Sequence, residues 1–272
     1  MLKQRVITAI CLATVLFLVL WSGSNVLFSL LLLVFFGAAS WENARLFKNT
    51  HPIITGVVSC IVFAAAVAFL SVREYIWFAM IGCVIWGVFL IPALFSRMPA
   101  LGTPFNMVCQ WLYWLSVFCS IVAVLVLYRK SAWFLLSIFV IIWLADIGAY
   151  FAGRAFGRHK LAPSISPGKT WEGVVGGAVA VLAAGIITVW ISPSQENIAV
   201  SVYSRYGWLG MIVSLIVLVA LSIIGDLMES KLKRRVEMKD SSNLLPGHGG
   251  VLDRIDSLIP TLPLAVLLGL WL

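Results

Sequence analysis

Charge is scarce in this chain. Only 11% of its 272 residues are Asp, Glu, Lys or Arg, against roughly 25% in an ordinary soluble domain. No polar stretch is long enough to fold as a separate soluble domain, which excludes a water-soluble enzyme. The net charge of +8 would suggest nucleic acid as a partner of a soluble protein. Here the placement of the charge matters more than its total, and nucleic acid is not expected. Cysteine is sparse too. Cys11, Cys60, Cys83, Cys109 and Cys119 all fall inside apolar runs, without the close pairs that metal ligation favours. They read as small core residues and carry no information on redox compartment.

What fills the chain is apolar sequence, 62% of it. Runs of 18 or more such residues recur, each long enough to cross a hydrocarbon core about 30 Å thick as a helix. The expected fold is all-α: a polytopic integral membrane protein of about nine spans, near residues 6–22, 26–41, 53–71, 75–95, 106–127, 132–152, 173–191, 206–226 and 255–272. The first run follows Lys3 and Arg5 but shows no convincing cleavage site before Trp21, so it reads as a retained helix. With the N-terminus in the cytoplasm, fifteen of the nineteen basic residues fall in loops on that side, and only Arg73, Arg129, Lys130 and Arg205 on the other. That bias is what the positive-inside rule expects.

The connections divide the chain. Through residue 130 they are short and nearly featureless, predicting scaffold helices and lipid contact. Residues 131–272 carry long charged loops at 153–172 and 227–254, predicting the catalytic region. No internal repeat of the kind that builds transporters from related halves is visible.

Three stretches of that second region can hold chemistry. The first is Asp146 in "IIWLADIGAYFAG". An acid inside an apolar span is costly unless it faces a cavity, a cation or a polar partner, although a packing hydrogen bond by a protonated Asp is the plain alternative. Gly148, Ala149, Ala152 and Gly153 beside it would let a helix or ligand approach closely, and Gly173 and Gly177 form a GxxxG pair that reads as helix packing. The second is "GRAFGRHKLAPSISPGKTWEGVVGG", which gathers Arg154, Arg158, Lys160 and Lys169. Ser166 leads into a break at Pro167 and Gly168, and Thr170 is placed to cap a helix whose free N–H groups suit a phosphate. The string "PGKT" is not a phosphate loop: Pro163 stands where that motif needs glycine, and no strand is expected before it. Contact of this basic loop with lipid headgroups is the alternative.

The third stretch runs from "IIGDLMESKLKRRVEMKD" through "SSNLLPGHGGVLDRID". Residues 230–257 hold ten of the thirty charged residues of the chain. If span eight continues past the membrane, Asp226, Ser230, Lys233 and Glu237 share a face, with a Lys233–Glu237 ion pair as the plain reading. A new helix near Asp253 would carry Asp256 one turn on, and the two helices could bring Asp226 and Asp253 to opposite sides of one cleft. Carboxylates beside cations suit a Mg²⁺–phosphate complex. His248, lying between glycines, is open to reading as base, phosphate donor or loop organiser.

The pattern S-x-L-K-R-x4-K-D-x-S-x2-L-P-G-H-G-G-x-x-D-R-x-D, from Ser230 to Asp256, resembles that of the phosphatidate cytidylyltransferases, or CDP-diacylglycerol synthases. The stretches "DIGAYFAG" and "SPGKTWEG" look like further features of that family, and the resemblance covers about residues 143–256. It implies transfer of a cytidylyl group from CTP to phosphatidic acid, releasing pyrophosphate, at the cytoplasmic face of a bacterial-type inner membrane. It also implies Mg²⁺, with a second metal or a monovalent ion left open. The family's paired metal-binding aspartates fall on Asp226 and Asp253, with Asp146 and Asp256 as further candidates. Lys233, Arg234, Lys239, Asp240, His248 and Arg254 become candidate catalytic residues, and Ser166, Lys169, Thr170 and Ser230 candidate phosphate contacts. A phosphate monoester with a second pKa of about 6 is mostly dianionic at neutral pH, so no general base is required and His248 is better placed as donor or organiser. The competing readings are a CTP-dependent polyprenol kinase and, in another class, a transporter working through Asp146. A homodimer is left open.

Overall fold

A computed structural model describes residues 2–192 and 196–270. The helices are α1 (Leu2–Trp21), α2 (Asn25–Leu46), α3 (Pro52–Phe69), α4 (Val72–Val84), α5 (Ile91–Phe95), α6 (Pro104–Lys130), α7 (Ala132–Phe156), α8 (Trp171–Ile191), α9 (Ile198–Arg235), α10 (Leu252–Ile255) and α11 (Leu258–Leu270). A π-turn, Ile85–Leu90, joins α4 and α5 into one rod. Among the described residues seven helical units are long and apolar enough to cross a membrane, α2, α3, α4–α5, α6, α7, α8 and α9, and two shorter apolar helices accompany them within α1 and α11. Residues 271–272, which the expected last span includes, lie outside the described residues.

The helix starts follow from local chemistry. Ser24, Thr103, Ser131, Thr170 and Asn197 each accept an N–H of the first turn on the side chain, which satisfies donors that the helix itself leaves unpaired. The central element is α6, buried continuously from Ser116 to Tyr128. It packs on α2, α4, α7 and α11, and α11 packs in turn on α4 and α9, so the last helix threads back among the first ones.

Long-range contacts sort the loops by end. Arg45 Nη1 donates to the Ser241 carbonyl (3.3 Å), Asn106 Nδ2 to the Phe47 carbonyl (3.1 Å), and Lys231 Nζ to the carbonyls of Ala93 (2.8 Å), Leu94 (2.9 Å) and Ser96 (2.5 Å). Lys231 thereby caps the C-terminus of α5, where a cation complements the free carbonyls. At the opposite end Lys130 Nζ meets the Gly269 carbonyl at 2.6 Å. The basic loops therefore collect at one end of the bundle. The side chains of Lys3, Arg5 and Arg73, which belong to the expected charge bias, lie outside the described residues.

The structure departs from the expectations in four places. Helix α2 runs on past residue 41 to Leu46, carrying Glu42 and Arg45 on ordered helix. The loop before α8 is a two-stranded antiparallel hairpin, β1 (Lys160–Ala162) with β2 (Ser166–Thr170), so a strand does precede α8 and "PGKT" is itself part of β2. The missing glycine still excludes a phosphate loop. Helix α9 begins at Ile198 with a kink at Gly207 and ends at Arg235. Glu237 lies beyond it at φ 59°, so the Lys233–Glu237 pair does not form.

The small residues of α7 and of α8 pack against each other, which gives both expected packing sets the same partner. A Cβ on Gly148 would lie 2.9 Å from the Gly176 carbonyl, and one on Gly177 would lie 2.7 Å from that of Ala145. Backbones this close have no room for a methyl group. Gly177→Val is expected to destabilise the protein by about 1–3 kcal/mol, as overpacked cores do. A thermal melt in detergent, compared with the exposed control Val179→Ala, checks this.

Candidate functional site

Five segments converge at the basic end: α7 with Asp146, β2 with Lys169, the end of α9 with Asp226 to Lys233, the 240–256 segment, and α2 with Glu42. The helix continuation of α9 places Asp226, Ser230, Glu229 and Lys233 on consecutive turns. Ser230 Oγ donates to Asp226 Oδ1 at 3.2 Å, and Lys169 Nζ pairs with Asp226 Oδ2 at 2.7 Å. The Asp226 side chain is 33% exposed and that of Lys169 24%, so this pair faces an open niche. Asp146, exposed on α7, lies within electrostatic reach of Lys169 and Asp226, and Asp256 within reach of Asp226 and Lys169. Gly225 makes the approach of the last segment feasible: a Cβ there would stand 2.2 Å from the Asp256 carbonyl.

A second niche lies deeper. Lys233 Nζ bridges Glu229 Oε2 and Asp253 Oδ1, both at 2.5 Å. Glu229 is fully buried and the Asp253 side chain is 4% exposed. Asp253 Oδ2 accepts from the Ser241 N–H (2.8 Å), the Ser241 hydroxyl (2.9 Å) and the Gly250 N–H (2.7 Å). Burial alone would raise the Asp253 carboxyl, but the Lys233 ammonium and the Gly250 and Ser241 N–H groups outweigh it and hold the pKa below the ordinary value. Asp226 and Asp253, expected on opposite sides of one cleft, are each paired with a lysine of their own, Lys169 and Lys233. Lys233 lies between two carboxylates, where it fixes Asp253.

The glycine-rich turn is organised around that carboxylate. Leu245 and Gly249 form an antiparallel bridge, with the His248 N–H donating to the Leu245 carbonyl at 2.8 Å. Gly249 has φ 83°, and a Cβ on it would stand 2.6 Å from Asp253 Oδ2. Side chains are excluded there on both counts. Backbone at Gly249 and Gly250 thus lies close against the protein's own carboxylates, Asp253 and Glu42. His248 Nδ1 is buried with no hydrogen-bond partner among the described residues.

The remaining expected residues are placed as follows. Thr170 Oγ1 accepts the Gly173 N–H at 3.2 Å and so caps α8. Ser166 opens β2. Lys239 and Asp240 are exposed beside the turn, as is Arg234, whose Nη1 donates to the Met238 carbonyl at 3.2 Å. Arg254 is exposed on α10.

Two carboxylates were not anticipated. Glu229, above, was hidden in the same helical repeat that revealed Asp226. Glu42, fully buried on α2, accepts on Oε1 from the Ser242 hydroxyl (2.5 Å) and the Val251 N–H (2.9 Å), and on Oε2 from the Leu252 N–H (2.7 Å) and the Ser241 hydroxyl (3.2 Å). The single Ser241 proton can serve either Glu42 or Asp253 at a time. The available signal was that Glu42 is the only acid before Glu74 and stands at the end of an apolar run.

Among the described residues no three acid, His or Cys side chains form a closed metal cage. Mg²⁺ is ordinarily held by one or two carboxylates together with substrate phosphates and waters, and the open niche supplies that kind of donor set at Asp226, with Asp146 and Asp256 nearby. Asp253 fits less directly, because Lys233 must yield Oδ1 before a cation can take it.

The chain is 34% identical over 296 aligned residues to the phosphatidate cytidylyltransferase of Haemophilus influenzae, covering 97% of this chain and 96% of that protein. It is 35% identical over 289 residues to that of Pseudomonas aeruginosa, covering 100% and 97%. A shorter match to the Brucella suis phosphatidate cytidylyltransferase is 47% identical over 132 residues, covering 48% and 45%. A model of the Cytidylyltransferase family matches residues 3–271, and this integral membrane nucleotidyltransferase belongs to that family.

Proposed function

We propose that the chain transfers the cytidylyl group of CTP to phosphatidic acid, forming CDP-diacylglycerol and pyrophosphate at the cytoplasmic face of the inner membrane. The observation that carries the reading is the alternation of acids and lysines from separate segments, Lys169 on Asp226 and Lys233 on Asp253, at one end of an apolar bundle. A lipid phosphate reaches such a place without withdrawing its tails from the bilayer.

The barrier is repulsion between two polyanions together with the charge that develops on pyrophosphate as it leaves. A bound divalent cation would supply charge neutralisation of the phosphate oxygens; Asp226 would hold it, and Asp253 would join it only by giving up Lys233, which keeps Glu229 as its partner. Lys169, now on Asp226, would pair with a phosphate oxygen, and Arg234, Lys239 and Arg254, all exposed, add positive charge. The lipid phosphate attacks the α-phosphorus of CTP as a dianion, so His248 is not needed as a base and serves the turn that carries Asp253.

Purified protein in mixed micelles with phosphatidic acid, CTP and Mg²⁺ is expected to release pyrophosphate and CDP-lipid in equal amounts. Lipid phosphorylation from CTP, with CDP as the other product, would instead establish a kinase of the polyprenol type. Absence of both products would overturn the assignment.

A further inference from the structure

A cavity of about 760 Å³ lies between α1 and the bundle. Its walls are apolar side chains of α1, α2, α6, α7 and α11, among them Ala13, Leu16, Leu31 and Val124. Ser120 also lines it, but its hydroxyl is committed to the Ser116 and Ile259 carbonyls. The charged side chain of the wall is Arg254, which lines the cavity together with Leu245 and makes no hydrogen bond or ion pair through its guanidinium with any described residue. The Thr8 hydroxyl donates to the Pro246 carbonyl at 2.9 Å, tying α1 to the glycine-rich turn.

Resting on the function proposed above, we infer that this cavity holds one acyl tail of the lipid substrate, with Arg254 at the phosphate and α1 as the outer wall. Two independent features fit that occupant. The lining holds a single cation in a mostly apolar chamber, which complements an amphiphile with an anionic head. The length matches as well. From Ala9 to Trp21 the wall of α1 rises about 18 Å, close to the half-thickness, about 15 Å, that the tails of one leaflet occupy. The volume falls within the range, about 300–1,000 Å³, usual for small-molecule sites. Because Arg254 follows Asp253 directly in sequence, a lipid seated there presents its phosphate to the segment that carries the deeper niche.

Ala13→Trp, on an exposed position of α1, fills part of the chamber without touching either niche. With dipalmitoyl phosphatidic acid its kcat/KM is expected to fall about tenfold. That corresponds to about 1.4 kcal/mol, or the burial of about two methylene groups. With the dihexanoyl lipid, whose tails end short of Ala13, the fall is expected to be less than about twofold, and KM for CTP should match the wild type. An equal fall with both lipids, or no fall with either, overturns the inference. Photolabelling of the wild-type protein in nanodiscs tests it without any substitution. A phosphatidic acid with a diazirine at mid-tail should mark Leu16 and Val124 and be displaced by unlabelled phosphatidic acid but not by phosphatidylcholine. Equal displacement by phosphatidylcholine would show bulk lipid only and also overturn it. If the wild type forms no CDP-lipid from either substrate, the function proposed above fails, while the labelling pattern still reports on the cavity.

Discussion

Asp226→Asn is expected to lower the rate of CDP-lipid formation about 10³-fold, equivalent to about 4 kcal/mol on the barrier, while leaving the fold in place. The fold should survive because the Lys169–Asp226 pair keeps contact with solvent, which screens it and holds its contribution to the order of 1 kcal/mol. Asparagine also keeps an oxygen for the Ser230 hydroxyl. What it loses is the formal charge by which Asp226 would hold the proposed divalent cation. Lys169→Met separates the two roles of the pair. Removing that ammonium frees Asp226 from its competitor, so the apparent Mg²⁺ requirement should fall even as KM for CTP rises. The two variants thus move the metal dependence in opposite directions, which a purely structural ion pair would not do. Mg²⁺ titrations of initial rate, alongside thermal melts, read both. An Asp226→Asn protein with more than a tenth of wild-type activity would remove Asp226 from the metal site.

The helical repeat made half of this arrangement legible. Continuation of α9 past the membrane follows from its charged, helix-favouring sequence, and it sets Asp226, Ser230 and Lys233 on one face as expected. The repeat does not say where the helix stops. Val236 leaves the helix and Glu237 takes positive φ, so Lys233 turns back to Glu229 and across to Asp253. The seam of α7 and α8 was legible because glycine and alanine at four-residue spacing have little other use in an apolar helix. The β1–β2 hairpin was not, since three-residue and five-residue strands are too short for alternation to register. Glu42 was invisible for a different reason. Its partners lie about 200 positions away, at Ser241, Ser242, Val251 and Leu252, and no local pattern encodes a contact made only by tertiary packing.

That contact carries the second large effect. Glu42→Ala is expected to cost about 4 kcal/mol of stability and to abolish activity. The Val251 and Leu252 N–H groups, buried with their residues, would lose their acceptor, and an unsatisfied buried donor costs about 1–3 kcal/mol. A loss of this size is a large fraction of the roughly 5–15 kcal/mol that holds a typical domain together. Glu42→Gln should not rescue it. One amide oxygen can still serve Ser242 and Val251, but the NH₂ group would then face the Leu252 N–H, donor against donor. Ser242→Ala removes only one donor to Glu42 and is expected to cost about 1 kcal/mol with activity largely kept. A role in positioning also predicts a signature that plain destabilisation does not. In Glu42→Gln below its melting temperature, the Val251 and Leu252 amides should exchange with deuterium faster while those of α6 remain protected, because the staple holds the segment carrying Asp253 and not the bundle itself. Uniform loss of protection would instead mean that Glu42 serves the whole fold, and wild-type activity in Glu42→Gln would mean that Asp253 is placed without it. The reach of α2 to Ser241, Ser242, Val251 and Leu252 is therefore the point at which the apparently featureless first half of the chain supports the site proposed in the second.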